Sequence, residues 1–107
     1  MGSPRLEVFA TAEELSEHAA GAIADGVVDA IRDRARCSLA LSRATTLLRR
    51  LASRSVDWSP VDVFQVDERV APDGHPDRNL TLIQSELCAG ITGAGPRVHA
   101  MPVTDPN

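Results

Sequence analysis

Residues 56–79 read VDWSPVDVFQVDERVAPDGHPDRN, and this stretch indicates the fold class of the whole chain. Within it, residues 61–66 (VDVFQV) are rich in β-branched and aromatic side chains and have the length of a buried strand. This strand runs directly into residues 67–69 (DER), so two carboxylates and a guanidinium are expected where it ends.

The residues after this strand predict a loop, a helix and another strand. Residues 71–78 (APDGHPDR) contain two Pro, one Gly and two Asp, which is typical of a loop. Asn79 is then the predicted cap of a third helix, which continues to about Leu87 and is ended by Gly90. Residues 98–103 (VHAMPV) follow as the last strand candidate.

A long first helix is predicted upstream. Thr11, with Glu14 three residues later, indicates a capping box, in which a hydroxyl and a carboxylate each satisfy a backbone donor. Apolar residues then recur at every fourth position, which predicts an amphipathic helix over Ala12–Arg34. The side chains expected to pack on the sheet are those of Leu15, Ile23, Val27 and Ile31.

The remaining segments complete a regular alternation. Cys37–Leu41 (CSLAL) is an apolar run too short for a helix and predicts a buried strand, and residues 45–53 predict the second helix. Residues 5–10 (RLEVFA) alternate apolar and polar side chains and predict a short first strand. Strands that alternate with helices form βαβ units, so the predicted fold class is α/β, a Rossmann-like parallel sheet with helices packed on it.

Composition narrows the class of protein. A chain of 107 residues is expected to form a single domain, and 43% hydrophobic with 24% charged residues is the balance of an ordinary globular protein. No apolar run approaches the roughly 20 residues of a membrane span, so no membrane partner and a cytoplasmic location are expected. The net charge is −4 and the 11 basic residues are dispersed, which argues against a nucleic-acid partner.

The cysteines and histidines are expected to have ordinary structural roles. Cys37 and Cys88 are too few and too far apart for a metal knuckle or a redox pair, so buried free thiols and no metal are predicted. His18 is predicted to lie on the surface, His75 in a solvated loop, and His99 within a strand.

Two segments are candidates for a ligand site. Ligands of an open parallel sheet bind outside the carboxyl ends of its strands, which here are followed by residues 42–46 and 67–69. An Arg fork matches phosphate oxygens bidentately, and a neighbouring carboxylate can hold the fork in orientation. The same pattern is equally that of a solvated charge cluster at a strand end, and spacing alone does not separate the two interpretations.

The stretch resembles the signature of the 6-phosphogluconolactonase family, which is related to the glucosamine-6-phosphate deaminases and isomerases. In that family an apolar strand runs into Asp-Glu-Arg, and a loop rich in Pro and Asp leads to an Asn that opens the next helix. The likeness covers nearly the whole chain but only the front half of a family member, so the domain is expected to be incomplete. The matching residues are Asp67, Glu68, Arg69, Pro72, Pro76, Asp77 and Asn79.

The resemblance implies a hydrolase that opens 6-phospho-D-glucono-1,5-lactone in the pentose phosphate pathway, without a metal or other cofactor. Its implied partner is a sugar phosphate, bound at the residues that follow the second and third predicted strands. The implied phosphate-binding residues are Ser42, Arg43, Thr45, Thr46 and Arg69, with Asp67 and Asn79 as orienting residues.

Three departures from the family pattern predict impaired activity. The family's Leu-Ser-Gly-Gly loop reads LSRA over residues 41–44, so both glycines that let backbone N–H groups close on a phosphate are replaced. A family Arg in the third helix is Gln84 here, which carries no charge. The family's later Asp-Gly-His, whose His is taken as the general base, has no counterpart, and residues 73–75 (DGH) belong to the loop instead.

Two alternatives remain open. The first is a non-catalytic remnant or half-domain that binds a sugar phosphate, or pairs with another chain to complete its sheet, because residues 98–103 form an uncovered edge strand. The second is an amino-sugar-phosphate deaminase or isomerase. Residues 67–69 favour the lactonase branch over the second alternative.

Overall fold

A computed structural model of the chain describes residues 6–103. Its three strands are parallel and lie side by side in the order β1-β2-β3, which confirms the predicted α/β class. No helix within residues 6–103 is long and apolar enough to span a bilayer. In chain order the elements are α1 (Ala12–Arg34), β1 (Cys37–Leu41), α2 (Thr45–Ala52), β2 (Val61–Gln65), α3 (Asn79–Leu82) with its π-helical (Ile83–Leu87) and 3-10 (Cys88–Gly90) continuations, and β3 (Arg97–His99).

Helix α1 begins and ends where the sequence predicts. Thr11 is extended, and its Oγ1 accepts a hydrogen bond of 3.1 Å from the backbone N–H of Glu14, which confirms the N-cap. After Arg34 the chain leaves the helix through Ala35, which has a left-handed backbone with φ 63°. The Ala35 N–H donates to the Ile31 carbonyl oxygen at 2.7 Å and closes the last turn.

The face of α1 that packs on the protein differs from the predicted one. Val27 is buried, but Leu15 is 51% exposed, so the predicted packing of Leu15 is wrong. A step of four residues turns an α-helix by about 400°, so a stripe drawn at every fourth residue drifts by about 40° per step and leaves the buried face. Ile23 and Ile31 are only partly buried, and the fully packed stripe is Ala20, Ala24, Val27 and Ala30.

One face of the sheet holds the core. Val61, Val63 and Gln65 alternate inward along β2 and are buried, whereas Phe64 points to the other face and is 43% exposed. Trp58, at the entry to β2, is 2% exposed and belongs to the core cluster. The core cluster joins α1, α2 and the π-helical turn to this one face through Ala20, Val27, Leu48, Leu51, Ile83 and Leu87 among others.

Two strand predictions need correction. Residues 6–10 form no strand, and Leu6 and Val8 are 89% and 85% exposed, while Arg5 lies outside the described residues. Alternation of apolar and polar residues indicates which side chains share a face, but it does not provide a neighbouring strand. Because no strand pairs with residues 6–10, the segment stays irregular. The last strand is shorter than predicted, because only Arg97–His99 pairs with β2 and residues 100–103 do not.

The third helix also differs in detail. It was predicted to run from a cap at Asn79 to about Leu87, whereas its helical residues run from Asn79 to Gly90 with a π-helical turn over Ile83–Leu87 in the middle. Asn79 is the first helical residue and not the cap, since the N-cap position belongs to Arg78. Both cysteines are free thiols, as predicted, although only Cys37 is buried and Cys88 is partly so.

Candidate functional site

The two candidate segments lie at the same edge of the sheet. β1 and β2 are adjacent and parallel, with Leu41 opposite Gln65 in the last register pair, and the Val66 N–H donates to the Leu41 carbonyl oxygen at 3.0 Å. Residues 42–46 and 67–69 therefore leave the sheet side by side, and we call them together the carboxyl edge. The Arg43 Nη1 donates to the Asp77 carbonyl oxygen at 3.4 Å and connects this edge to the loop that precedes α3.

The carboxyl edge exposes cations and hydroxyls. The side chains of Arg43 and Arg69 belong to exposed residues, and no carboxylate within residues 6–103 forms an ion pair with either guanidinium. Helix α2 starts here, and its N-cap Ala44 provides no side-chain acceptor for the first backbone N–H groups. The positive end of the α2 dipole and these two guanidiniums therefore lie at the same edge of the sheet, where they favour an anion. The exposed carboxylate of Asp67 also lies at this edge, where it accepts a hydrogen bond from the Asn79 amide. The hydroxyls beside them belong to Ser42, Thr45 and Thr46, of which Thr45 is partly buried.

Glu68 is the side chain that ties this edge to α3. Its carboxylate is fully buried, with a side-chain exposure of 0%. The Oε1 atom accepts hydrogen bonds from the backbone N–H of Arg69 at 2.7 Å and of Asn79 at 2.6 Å. The Oε2 atom accepts from the Leu80 N–H at 3.0 Å and from the Gln65 Nε2 at 2.7 Å. A carboxylate thus caps the first two residues of α3, the role that the sequence had assigned to Asn79.

Arg78 neutralises this buried carboxylate. Its side chain is 3% exposed, and its Nε lies 3.0 Å from the Glu68 Oε2 as an ion pair. The Nη1 atom donates to the Asp73 carboxylate at 2.5 Å and to the Ala71 carbonyl oxygen at 3.0 Å. Because its guanidinium is buried and engaged by Glu68, Asp73 and the Ala71 carbonyl oxygen, Arg78 is committed to the fold and is not available to a ligand. Contact with Glu68 raises the pKa of the Arg78 guanidinium above its usual value.

The pKa of Glu68 reflects two opposing effects. Burial alone raises the pKa of a carboxyl group, because it disfavours the charged form. Hydrogen bonds from Gln65 and from the backbone N–H groups of Arg69, Asn79 and Leu80 outweigh burial and lower the pKa to about 2. Glu68 is therefore an anion at neutral pH.

Asp67 and Asn79 contact each other. The Asn79 Nδ2 donates to the Asp67 carboxylate at 3.1 Å and to the Asp67 carbonyl oxygen at 3.3 Å, and Asn79 is 2% exposed. Asp67 was expected to orient Arg69 directly, but within the described part of the chain its hydrogen-bond partner is Asn79. Together the pair holds the end of β2 against the start of α3.

None of the described histidines is arranged as a base at this edge. His75 lies in the loop, and its Nδ1 accepts a 3.0 Å hydrogen bond from the Asp77 N–H. In this geometry the Nδ1 atom is occupied as an acceptor, and His75 lies outside the two segments that form the carboxyl edge. His18 is an exposed residue 3.2 Å from Glu7, and His99 is exposed on β3. Gln84, the position of the missing family Arg, is also exposed.

Two surface cavities lie away from the carboxyl edge. Cavities of about 350 and 340 Å³ are lined by residues 53–56, with Trp58 and Ile91 in one and Ala24 in the other. These residues precede β2 and β3, so both cavities lie toward the opposite, amino-terminal end of the strands. None of the residues that line these two cavities belongs to residues 42–46 or 67–69. Within residues 6–103, no group of three or more His, Cys, Asp or Glu side chains is arranged to hold a metal ion.

Sequence reasoning missed Arg78 and gave Glu68 little weight. The signal for Glu68 was a carboxylate that follows a buried strand, so that it can accept hydrogen bonds from the backbone N–H groups at the start of the next helix. The signal for Arg78 was a lone Arg immediately before the Asn that opens that helix. Their pairing joins residues ten apart, which no local periodicity can reveal.

Comparison with known proteins adds independent findings. Residues 10–107 match the family described as Glucosamine-6-phosphate isomerases/6-phosphogluconolactonase. A 6-phosphogluconolactonase from Streptomyces coelicolor is 34% identical over 110 residues, which cover 96% of this chain and 42% of that protein. A 6-phosphogluconolactonase from Mycobacterium leprae is 31% identical, over 96% of this chain and 44% of its own length. The chain thus spans less than half the length of these curated relatives.

A solved structure shares the fold. The crystal structure of a 6-phosphogluconolactonase from Shewanella baltica superposes with a TM-score of 0.71 and 24% identity. The match covers 85% of this chain and 40% of the crystallised one. At this identity the likeness establishes the arrangement of helices and strands, and no more.

Proposed function

Because the chain belongs to the family of glucosamine-6-phosphate isomerases and 6-phosphogluconolactonases, we propose that it supplies the sugar-phosphate-binding edge of a 6-phosphogluconolactonase. The reaction is the hydrolysis of 6-phospho-D-glucono-1,5-lactone, a step of the pentose phosphate pathway. Water adds to the ring carbonyl, the ring C–O bond breaks, and the product is 6-phosphogluconate. The observation that carries the proposal is that Arg43, Arg69 and the start of α2 all lie at one edge of the sheet, and that no carboxylate of residues 6–103 forms an ion pair with either guanidinium.

The phosphate is the part of the substrate that this edge suits best. Arg69 supplies a guanidinium whose fork matches two phosphate oxygens. The first backbone N–H groups of α2, at Thr45 and Thr46, supply the partial positive charge of a helix start. The hydroxyl groups of Ser42 and of these two threonines are further donors to the same anion.

The hydrolysis step requires only that the protein position the lactone and provide a base. A lactone carbonyl is already reactive, so a substrate held in place needs only a base to activate water. His75, the histidine closest in sequence to the carboxyl edge, has its acceptor nitrogen engaged by the Asp77 N–H. In this proposal residues 6–103 bind and orient the phosphate end, and the base comes from the part of the family domain that this chain does not span.

Ligand titration tests the proposal on the 107-residue chain. We expect 6-phosphogluconate to shift the ¹H–¹⁵N resonances of Arg69, Thr45 and Thr46, and the matched control gluconate, which lacks the phosphate, to leave them in place. Stronger binding of glucosamine 6-phosphate than of 6-phosphogluconate would favour the amino-sugar-phosphate deaminase or isomerase alternative. No shift with any of the three compounds would contradict a sugar-phosphate site in this chain.

A second candidate is a non-catalytic half-domain that pairs with another chain to complete its sheet. The observation in its favour is the uncovered face of the sheet, where Phe64 and Val66 are 43% and 62% exposed. Light scattering of the purified chain, with Phe64→Asp as the variant, tests this candidate. A dimer that Phe64→Asp converts to a monomer would support it, and a wild-type monomer would contradict self-pairing.

The cytoplasmic location stays a prediction from the sequence.

A further inference from the structure

We propose that Glu68 is the positioning residue of the carboxyl edge, and that its buried carboxylate holds the backbone of Arg69 against the start of α3. The inference rests on the proposed function in one respect, that Arg69 contacts the phosphate. It assigns to Glu68 a role different from that of Arg69, because Glu68 is fully buried and cannot touch a ligand.

One oxygen atom of Glu68 joins two separate segments of the chain. The Glu68 Oε1 accepts from the Arg69 N–H at 2.7 Å and from the Asn79 N–H at 2.6 Å. Both distances are those of hydrogen bonds to a charged acceptor, which are shorter and stronger than neutral ones. The turn that carries Arg69 is thereby attached to the first residue of α3.

The second oxygen extends the attachment across the sheet. The Glu68 Oε2 accepts from the Gln65 Nε2 at 2.7 Å, and the Gln65 Oε1 accepts from the Met101 N–H at 2.7 Å. Gln65 is 8% exposed, so both of these contacts are shielded from water. The Glu68 carboxylate therefore connects the start of α3 to Gln65, the last residue of β2, and the Gln65 side chain continues this connection to Met101 after β3.

Glu68 also determines which cations remain for a ligand. Glu68 and Asp73 engage the guanidinium of Arg78, and Glu68 occupies the first N–H groups of α3. Glu68 thus takes the position that an anion would otherwise take at α3, while Arg69 stays exposed at the carboxyl edge. Loss of the carboxylate frees the Arg69 backbone, and displacement of a binding group by about 1 Å is enough to cost about 10²-fold in function.

Glu68→Gln in the 107-residue chain tests the proposal. The glutamine keeps the shape, removes the charge and directs an NH₂ group at groups that are themselves donors. We expect the Kd for 6-phosphogluconate to rise at least 10-fold, with displaced amide resonances at Arg69, Asn79 and Leu80. The matched control is Glu86→Gln. The Glu86 carboxylate accepts a hydrogen bond of 2.5 Å from the Arg49 Nε and does not belong to the carboxyl edge, so this variant should leave the Kd unchanged.

A second variant separates positioning from stability. Glu68→Gln leaves the buried Arg78 guanidinium without the negative charge of Glu68, and this lowers the stability of the fold. Glu68→Met combined with Arg78→Met removes both charges, and such a replacement of a buried pair by apolar residues is often neutral or stabilising. If Glu68 positions Arg69, thermal stability recovers but the Kd stays at least 10-fold higher than in the wild type. Recovery of the affinity together with the stability would overturn the proposal.

The outcomes distinguish this inference from the proposed function. A wild-type chain that binds 6-phosphogluconate while Glu68→Gln binds it equally well refutes the positioning role alone. A wild-type chain that does not bind refutes the proposed function for this chain, and the amide resonances then decide the inference. If the Arg69 amide resonance has the same position in Glu68→Gln as in the wild type, the positioning role of Glu68 is refuted. If the resonance is displaced, the positioning role is supported.

Discussion

The ring of His99 stacks on the ring of Phe64, with centroids 4.5 Å apart and planes 7° from parallel. The stack lies on the sheet face opposite the core, and the Asp62 carboxylate beside it binds the His99 Nε2 at 2.8 Å and the Arg97 guanidinium at 2.8 and 2.9 Å. These contacts lower the pKa of Asp62, through Arg97 first and His99 second. One face of β2 is therefore held by exposed polar contacts and the other by the apolar core.

This asymmetry predicts unequal costs of truncation. Leu48→Ala removes a side chain of 0% exposure and should lower the free energy of unfolding by about 2 to 5 kcal/mol. Phe64→Ala removes a larger but 43% exposed side chain and should cost only about 1 kcal/mol. Leu15→Ala is the exposed leucine control and should cost less than either. Urea unfolding followed by circular dichroism measures all three, and an equal loss for Leu48 and Leu15 would contradict the buried face described for the helices.

The end of α1 predicts a stabilising substitution. Ala35 has φ 63°, a left-handed conformation that costs a residue with a β-carbon roughly 1 to 2 kcal/mol. Ala35→Gly should relieve this cost and raise the free energy of unfolding by about 0.5 to 1 kcal/mol, after allowance for the more flexible unfolded chain. Ala24→Gly in the buried middle of the same helix is the control and should destabilise. A lower thermal midpoint for Ala35→Gly would show that the helix does not end in this conformation.

Glu68 predicts how stability depends on pH. Its pKa is about 2 in the folded protein against a reference value of 4.5, so the folded state holds the proton less tightly than the unfolded state. Its contribution is complete above about pH 4.5 and is lost as the pH falls toward 2. Urea unfolding between pH 6 and pH 2.5 should therefore show a steeper acid loss in the wild type than in Glu68→Gln. Parallel pH profiles for the two chains would contradict the lowered pKa.

Arg69 predicts the loss of ligand binding. Arg69→Ala removes an exposed guanidinium from the carboxyl edge and should abolish measurable binding of 6-phosphogluconate, because few other cations there can neutralise a dianion. The control Arg32→Ala removes a guanidinium on α1 that binds Asp29 at 2.6 Å, and it should retain the wild-type affinity. Titration calorimetry compares the two, and equal affinities would return Arg69 to a solvated surface role.

The prediction for catalysis is negative. The purified 107-residue chain should consume 6-phosphogluconolactone no faster than buffer, because a positioned base typically contributes about 10² to 10⁴ in rate and the His75 acceptor nitrogen is engaged by the Asp77 N–H. Lactone disappearance with and without protein is the measurement, and His75→Ala is the companion variant. An enzymatic rate that disappears in His75→Ala would contradict this interpretation of residues 73–75.

Much of the fold follows from local sequence. The Thr11 cap and the extent of Ala12–Arg34 are local, because a helix satisfies its own backbone groups and needs only a start and a stop signal. Cys37–Leu41 and the strand at β2 were recognisable because both are short segments rich in apolar or β-branched residues that lie between predicted helices. Residues 6–10 show the limit of such reasoning, since a strand exists only where another strand pairs with it.

The sequence alone determined that residues 42–46 and 67–69 share one edge, because adjacent parallel strands end on the same side of a sheet. Only the tertiary structure decided which charges at that edge are free. Glu68 and Arg78 are ten residues apart and pair in the interior, whereas Arg69, the neighbour of Glu68, stays exposed. The spacing of these residues cannot predict which of them is buried and which is exposed. Burial and ion pairing depend on how the loop folds back onto β2 and not on the order of residues within it.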